Sequence, residues 1–503
     1  MSGKRPVTSR LLRALTVVLG SVVILYLAGA AFLSTSWFHG YLLRRVTANL
    51  EALTGARVEI KRLDIRPLIF QAALSGLVLH GKEPPAEPPL FSAASVVLGL
   101  DPVSLLRRKL LLRRLDLDSA QASIHTYSDG STNIPGPERS FVDALLDMSI
   151  GTLIVTRTNF SWDDQRVPVE LSARNVAVSL SYSLDSYSGS FAASALELKS
   201  GSWPLPPLTV STRLKFSRHS FEASEVAWRL AESRGAGLSG HGSLKLTGLP
   251  KPDAEFSLQA SGDLAQAAQI LRIRELKRGS FALQGQGTYR NGELAGGGRV
   301  QAREVVVHSA VFEADHIGFT TDYTLEGRHV ALNKVSVSLL GGTVQGRVNV
   351  ALEGSTPKFS ARVELRGLDL ESSLRAASEG QALLAPIPLA GSVGGAVDAS
   401  WRGNFRGFES RFDLTLDPVE APTGTQPVKG FAKGTVKTAP EVSIDLEEAD
   451  FHTPHSSLNV KGSVGTQQSK LAVQLETSDF EEWKPLAESL LGRSDDLVLQ
   501  STA

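Results

Sequence analysis

The sequence predicts a mostly β protein, in which an amino-terminal transmembrane helix precedes an elongated, repetitive sheet that curls on itself and carries a few short helices. Three observations predict this fold class. A long uncharged apolar run stands near the amino terminus, apolar and polar residues alternate with a period of two through much of the remaining chain, and a unit of two strands and a short helix recurs.

The composition narrows the range of functions. Lys plus Arg and Asp plus Glu are both 52 in 503 residues, so there is no overall basic charge for binding nucleic acid. The chain has no cysteine, which excludes disulfides and thiolate metal sites. We therefore expect no nucleic-acid partner and no cysteine-based chemistry.

The apolar run from Ala14 to Leu33 is long enough to span the ~30 Å hydrocarbon core of a bilayer as a helix. Residues 14–33 are therefore predicted to form a transmembrane helix, and residues 1–13 a cytoplasmic tail. The alternative is a cleaved signal peptide with a processing site at residues 28–31. The predicted orientation follows from four basic residues that precede the run without an acidic one: Lys4, Arg5, Arg10 and Arg13.

A second helix is predicted from Tyr41 to Leu53, because its leucines and Val46 share one face and Gly55 follows as a stop. This helix could cap the first strands, or it could lie on the bilayer surface with Arg44 and Arg45 towards the headgroups. Short alternating strands follow it, and we assign residues 34–140 to one amino-terminal capping region.

The segment from Leu339 to Ala377 has the clearest pattern in the chain. It predicts two strands joined by a turn, and then a short helix capped by Asp369. Polar residues such as Arg347 and Asn349 fall between most of the apolar ones, so each strand should have one apolar and one wet face. The residues predicted to line a common apolar floor are Val344, Val348, Val350, Leu352, Phe359, Val363 and Leu365.

The same unit recurs before and after this segment, with Asp263 and Asp479 in the place of Asp369. Self-similar units of this kind stack on their neighbours along one axis. We therefore divide the chain into a β segment at 141–235 and three repeats at 236–340, 341–450 and 451–503. A new strand begins at Asp496 and stops at Ala503, so the two alternatives are a short protein with three repeats and a fragment of a longer one whose last repeat is truncated.

The amino-terminal region resembles the AsmA-like superfamily, of the TamB type or the AsmA type. The resemblance lies in the membrane helix, the Leu53-Thr54-Gly55 stop with the strand after it, the leucine-rich segment at 101–106, and the turn at 129–134. The repeat unit is also similar to that family's. The resemblance implies a single-pass protein of the bacterial inner membrane, with its amino terminus in the cytoplasm and its bulk in the periplasm as a U-shaped β-groove.

A groove with an apolar floor suits a phospholipid or another acyl-chain ligand, and lipid conduction between the inner and outer membranes is the first functional hypothesis. A second hypothesis is assembly of outer-membrane proteins or autotransporters with a barrel partner, through strand addition at a sheet edge. A third is a structural spacer of the envelope. The resemblance implies that a TamB-type protein carries a further carboxy-terminal domain that contacts the barrel partner, and the sequence up to Ala503 shows none, which weakens this second hypothesis.

Other motifs have simpler explanations. Residues 235–240 match GxGxxG, but strand sequence rather than a helix follows. His452 and His455 flank Pro454 as HxxH, which predicts a turn rather than a metal site. No GxSxG, P-loop or HExxH sequence occurs. We therefore expect a protein that is not an enzyme, with no catalytic residues, cofactor or metal.

Overall fold

The fold is taken from a computed structural model of the chain. It describes residues 20, 21, 24 and 35–479, except for 67–68, 102–111, 136–140, 167–168, 201–202, 232–236, 250, 309–312, 353–355, 379–388, 404–405, 421–424, 439–441 and 466–468. The described part is mostly β, as predicted, with few and short helices. By its internal contacts the chain divides into two units, residues 1–232 with 243–251, and residues 233–242 with 252–503.

The described residues of the first unit form two helices and ten strands. Its helices are α1 (Ser36–Thr54) and α2 (Phe141–Met148). Its strands are β1 (Arg57–Arg66), β2 (Gln71–His80), β3 (Phe91–Leu100), β4 (Leu112–Thr126), β5 (Thr152–Asp164), β6 (Val169–Ser183), β7 (Ser186–Ser200), β8 (Trp203–Pro204), β9 (Leu208–Phe216) and β10 (Ser220–Leu230). Strand β11 (Ser239–Thr247) has residues in both units.

The second unit contains α3 (Leu264–Leu271), α4 (Leu370–Ser378) and fifteen strands that follow β11. They are β12 (Asp253–Asp263), β13 (Leu276–Arg290), β14 (Glu293–His308), β15 (Glu313–Glu326), β16 (His329–Leu339), β17 (Gly342–Ala351), β18 (Lys358–Asp369), β19 (Leu389–Ala390), β20 (Ser392–Arg402), β21 (Arg406–Asp417), β22 (Gln426–Pro427), β23 (Lys429–Lys437), β24 (Ser443–His452), β25 (Ser456–Gly465) and β26 (Ser469–Thr477).

Strand pairing in both units follows the chain closely. In the first unit neighbouring strands are antiparallel except for β4 and β5, which run parallel. In the second unit, β12 to β18, β20, β21 and β23 to β26 form an antiparallel meander, while β19 and β22 pair separately in parallel. Asn291 and Gly292, a dipeptide that is a sequence signal for a two-residue hairpin, join β13 to β14 with φ of 54° and 86°.

The parallel step from β4 to β5 needs a crossover, and α2 lies within it. The hydroxyl of Tyr187 secures this crossover: it accepts a hydrogen bond from the Ile150 amide at 2.8 Å and donates one to the Leu145 carbonyl at 3.1 Å. Tyr187 and Ile150 are fully buried, together with Leu145, Leu153 and Phe216. The burial raises the pKa of the Tyr187 phenol.

Helix α1 begins at the Thr35 cap and ends at Gly55, whose φ of 68° is the left-handed conformation of a helix stop. Its residues Leu42, Leu43 and Leu50 pack against the apolar cluster of β1 to β4. The helix therefore covers the first strands, which is the first of the two alternatives stated above.

The described residues contain no helix with both the length and the apolar character needed to cross a membrane. The predicted transmembrane helix, with its end residues Ala14 and Leu33, lies outside the described residues apart from 20, 21 and 24. The four basic residues that set the predicted topology, Lys4, Arg5, Arg10 and Arg13, also lie outside them.

Helices α3 and α4 confirm two of the predicted Asp-capped turns. The carboxylate of Asp263 accepts a hydrogen bond from the Gln266 amide at 2.9 Å, and that of Asp369 accepts one from the Ser372 amide at 2.7 Å. Helix α3 contacts β12 and β13, and α4 contacts β15, β18 and β19. The third predicted helix, after Asp479, falls outside the described residues.

Candidate functional site

Six of the seven apolar residues predicted from the sequence lie on one face of β17 and β18. Val344 pairs with Leu365, Val348 with Ala361, and Val350 with Phe359, while Gly346 stands opposite Val363. Each of these side chains is partly exposed, and the residues between them are more exposed. In the strand register Val344, Val348, Val350, Phe359, Val363 and Leu365 share one face of the sheet.

Leu352 differs from the other predicted floor residues. It lies one residue beyond the end of β17, where its amide donates a hydrogen bond to the Arg328 carbonyl at 2.8 Å. It is 41% exposed. Leu352 therefore belongs to the hairpin end of the sheet.

The apolar face continues across the neighbouring strands. On one side Val330, Leu332 and Val337 of β16 pair with the valines of β17. On the other side, Val397 of β20 pairs with Val363, and Phe412 of β21 pairs with Val397. We call this continuous surface of the second unit, from β12 to β26, the apolar face.

Its outer strands extend the same rows. Towards β12, Phe281 of β13 pairs with Ala302, which pairs with Phe319. Towards β26, Val460 of β25 pairs with Val473. Seven residues of these outer rows are more than a third exposed: Leu258, Tyr289, Ile444, Val464, Leu471, Val473 and Leu475.

The apolar face is kept smooth by glycines beneath large side chains. A Cβ on Gly287 would lie 2.6 Å from Cζ of Phe256, and one on Gly434 would lie 2.9 Å from Cζ of Phe412. The ring of Tyr323 reaches across β14, so a Cβ on Gly285 would lie 2.1 Å from its hydroxyl. These rings lie along the sheet because the residues below them have no side chain.

An aromatic row crosses the hairpin end of the apolar face. Phe359 and Trp401 stack with centroids 5.0 Å apart, and Trp401 contacts Phe408 at 6.3 Å. Trp401, Phe408 and Phe412 were not among the residues predicted from the sequence. Apolar and polar residues alternate in β20 and β21 as they do in β18. This alternation identifies the three aromatic residues as part of the apolar face only when the register of β20 and β21 relative to β18 is known.

The opposite face of the same strands is charged, and we call it the polar face. Ion pairs cross between neighbouring strands here, such as Arg299 with Asp322 at 2.6 Å and Lys433 with Asp413 at 3.3 Å. The Arg299 guanidinium holds the pKa of Asp322 below its ordinary value. This pattern is that of a sheet surface in contact with water.

A cavity of about 1280 Å³ lies on the polar face between β16 and β23. Its lining includes Lys334, Arg347, Arg362, Asp398 and Arg411. Desolvating these charges against methylene groups is unfavourable, so this cavity does not suit an acyl chain. The apolar face and this cavity are therefore two separate candidate sites.

The helices of the second unit sit at the strand ends. Leu264 of α3 packs with the buried residues Val305, Ala314 and Ile317, and Ala376 of α4 is also buried. Leu264 opens α3 and Ala376 lies in the last turn of α4, while Val305 lies near the end of β14 and Ala314 near the start of β15. The central rows of β17 and β18 keep part of their surface accessible.

The remaining candidates from the sequence contribute no site geometry. His452 lies 3.3 Å from Asp450, and the carbonyl of His455 accepts a hydrogen bond from the Ser478 amide. In the part of the chain that the structure describes, no three His, Cys, Asp or Glu residues are placed to hold a metal ion. Strand β11 begins at Ser239, within the GxGxxG match itself.

Comparison with models of known protein families gives no match to this chain, and a search of curated proteins gives none either. The resemblance to AsmA-like proteins therefore rests on the sequence features quoted above.

Proposed function

We propose that this protein carries phospholipid, or another acyl-chain ligand, along the apolar face of its second unit. The observation that carries the proposal is the in-register continuity of apolar side chains from β12 to β26, with partly exposed side chains in its central rows. Exposed apolar surface of this extent is a common mark of a binding surface in soluble domains.

The energetic need for such a surface is large. At ~0.8 kcal/mol per methylene, a two-chain phospholipid with roughly thirty methylenes loses on the order of 24 kcal/mol on entering water. Successive strands lie ~4.8 Å apart, so each further strand of the apolar face extends the covered path by that step. A continuous face therefore provides a route that is lined mainly by apolar side chains.

The finer features of the proposal come from the sequence. The sheet curls towards the apolar face to form a groove, the predicted helix at residues 14–33 anchors the chain in the inner membrane, and the bulk of the chain lies in the periplasm. The protein acts as a carrier without catalysis. The smooth floor made by Gly285, Gly287 and Gly434 supports the curl, because a concave face has less room for side chains than a convex one.

Transfer of labelled phospholipid tests this proposal. The full chain is reconstituted in donor vesicles, and delivery of lipid to acceptor vesicles is compared for Val348→Asp and Thr343→Asp. Both variants gain a carboxylate in β17, but only Val348 lies on the apolar face. We expect Val348→Asp to slow transfer by tenfold or more, since desolvating a charge in the lipid path costs at least about 1.4 kcal/mol. Equal rates for the two variants would contradict the proposal.

A further inference from the structure

The polar cavity between β16 and β23 has an uneven distribution of charge. Three of its acidic and basic lining residues are paired with residues nearby: Glu364 with Arg366 at 2.8 Å, Glu409 with Lys437 at 2.9 Å, and Arg411 with Glu447 at 3.8 Å. Arg362 pairs with Asp398 at 2.5 Å. Among the residues that the structure describes, Arg347 forms no ion pair.

The strand register makes this arginine unusual. Arg347 of β17 stands directly opposite Arg362 of β18. Like charges in directly opposed positions of an antiparallel pair destabilise the sheet. The Asp398 carboxylate, on β20, pairs with Arg362, and the Glu364 carboxylate, on β18, pairs with Arg366, so neither of these acids forms an ion pair with Arg347.

A bulge brings a third cation to the same place. Residues 333 and 334 of β16 form an irregularity between the pairs Leu332 with Val348 and Val335 with Gly346, so they lie opposite Arg347. Lys334 has a φ of 51° there, and its ammonium lies 3.8 Å from Asp322. Asp322 also pairs with Arg299 at the shorter distance of 2.6 Å, so the ion pair between Lys334 and Asp322 is the weaker of the two.

Neutral hydrogen-bonding side chains complete the cavity around these cations. Gln345 and Asn349 flank Arg347 on β17, and Ser360 lies next to Arg362. Guanidinium groups bind oxyanions through parallel N–H donors, and an anion between two of them removes their mutual repulsion.

We propose that the cavity binds a phosphate-type oxyanion between Arg347 and Arg362, with Lys334 at its edge. The site is open to water, and ionic screening there limits the affinity to a dissociation constant on the order of 1 mM. The phosphate can belong to free phosphate or to a lipid headgroup, and both present the same oxygen atoms. The site is on the face opposite to the proposed acyl-chain path, so the two proposals stand or fall separately.

Equilibrium dialysis of the full chain in a nonionic detergent tests the site, with radiolabelled inorganic phosphate as the probe. The variant is Arg347→Gln, and the matched control is Arg290→Gln on the same sheet, which removes an arginine paired with Glu255 at 3.0 Å. We expect one saturable site, weakened at least tenfold by Arg347→Gln and unchanged by Arg290→Gln. Nonsaturable binding, or equal binding to both variants, overturns the proposal.

A second probe distinguishes the source of the phosphate. Dihexanoyl phosphatidylglycerol is used below its micelle concentration, and only binding that depends on Arg347 is counted. If the phosphatidylglycerol diester binds as tightly as inorganic phosphate, the ligand of the site is a lipid headgroup. If only inorganic phosphate binds, the ligand is a free phosphate group. Urea unfolding of Arg347→Gln without anion checks its fold, and the loss of a like-charge contact predicts stability equal to or above that of the wild type.

Discussion

The rings of Phe359 and Trp401 lie face to face across β18 and β20, with centroids 5.0 Å apart and an interplanar angle of 4°. The two residues are directly opposed in the strand register. Such a stack adds stability beyond the area that each ring buries, and it fixes the register at the hairpin end of the apolar face.

A double-mutant cycle measures this contact. Phe359→Leu, Trp401→Leu and the double variant are compared by urea unfolding of the full chain. We expect a coupling free energy of about 0.5–1.5 kcal/mol, the usual range for an aromatic pair. Phe408 is the matched control, since it meets Trp401 at 6.3 Å and 42° and should couple more weakly. Additive effects of Phe359→Leu and Trp401→Leu would show that the stack contributes nothing of its own.

Tyr187→Phe should loosen the crossover that contains α2. The substitution removes the hydroxyl that serves the Ile150 amide and the Leu145 carbonyl in a buried site, and unsatisfied buried groups cost about 1–3 kcal/mol. Hydrogen exchange of the Ile150 amide reports the local opening free energy. Tyr182→Phe is the control, because its hydroxyl bonds Asp185 at the exposed end of the hairpin. Equal protection of the Ile150 amide from hydrogen exchange in both variants would contradict a stabilising role for the Tyr187 hydroxyl.

Acid should weaken the pairing of β4 with β5 through Asp118. Its carboxylate accepts hydrogen bonds from Arg157, at 2.9 Å from the guanidinium Nε, and from Thr156. The bond from Arg157 is the main cause that lowers the pKa of Asp118. The lowered pKa means that this contribution is present above the unfolded value, about 3.9, and is lost as the pH falls through the folded value.

The corresponding measurement compares wild type with Asp118→Asn by urea unfolding between about pH 6 and pH 2. Wild type should be the more stable at the upper end, and the difference should shrink below about pH 4. A difference that is independent of pH would mean that the charge of Asp118 does not contribute.

Gly346→Ala should destabilise the centre of the apolar face. A Cβ there would lie 2.1 Å from the Arg362 carbonyl oxygen, so β17 and β18 must move apart. Overpacking of this kind costs about 1–3 kcal/mol. Gly40→Ala is the control and should raise the free energy of unfolding. Nothing lies within 4 Å of a Cβ at this position of α1, and alanine is more favourable than glycine in a helix by about 1 kcal/mol. Urea unfolding of both variants measures the two changes in stability. An unchanged stability of Gly346→Ala would contradict the close approach of β17 and β18 at this residue.

The sequence predicted those parts of the structure that depend on local chemistry. Alternation assigned Val348 and Phe359 to one face, Asn291-Gly292 marked a hairpin, and Asp369 capped a short helix, because each effect acts within a few residues. Pairing partners depend on contacts that are distant in the chain. Trp401, Phe412 and the Arg347–Arg362 pair therefore become visible only with the strand register.

Photo-crosslinking from single positions of β17 and β18 tests the central claim most directly. A photoreactive amino acid is placed at Val348, Val350, Val363 or Leu365, and at Thr343 or Arg366 on the other face, outside the polar cavity. The proposed lipid path predicts phospholipid adducts from the four apolar positions and few or none from the two polar ones. Adducts of equal yield on both faces, or no adducts on either, would contradict the claim that this face carries lipid.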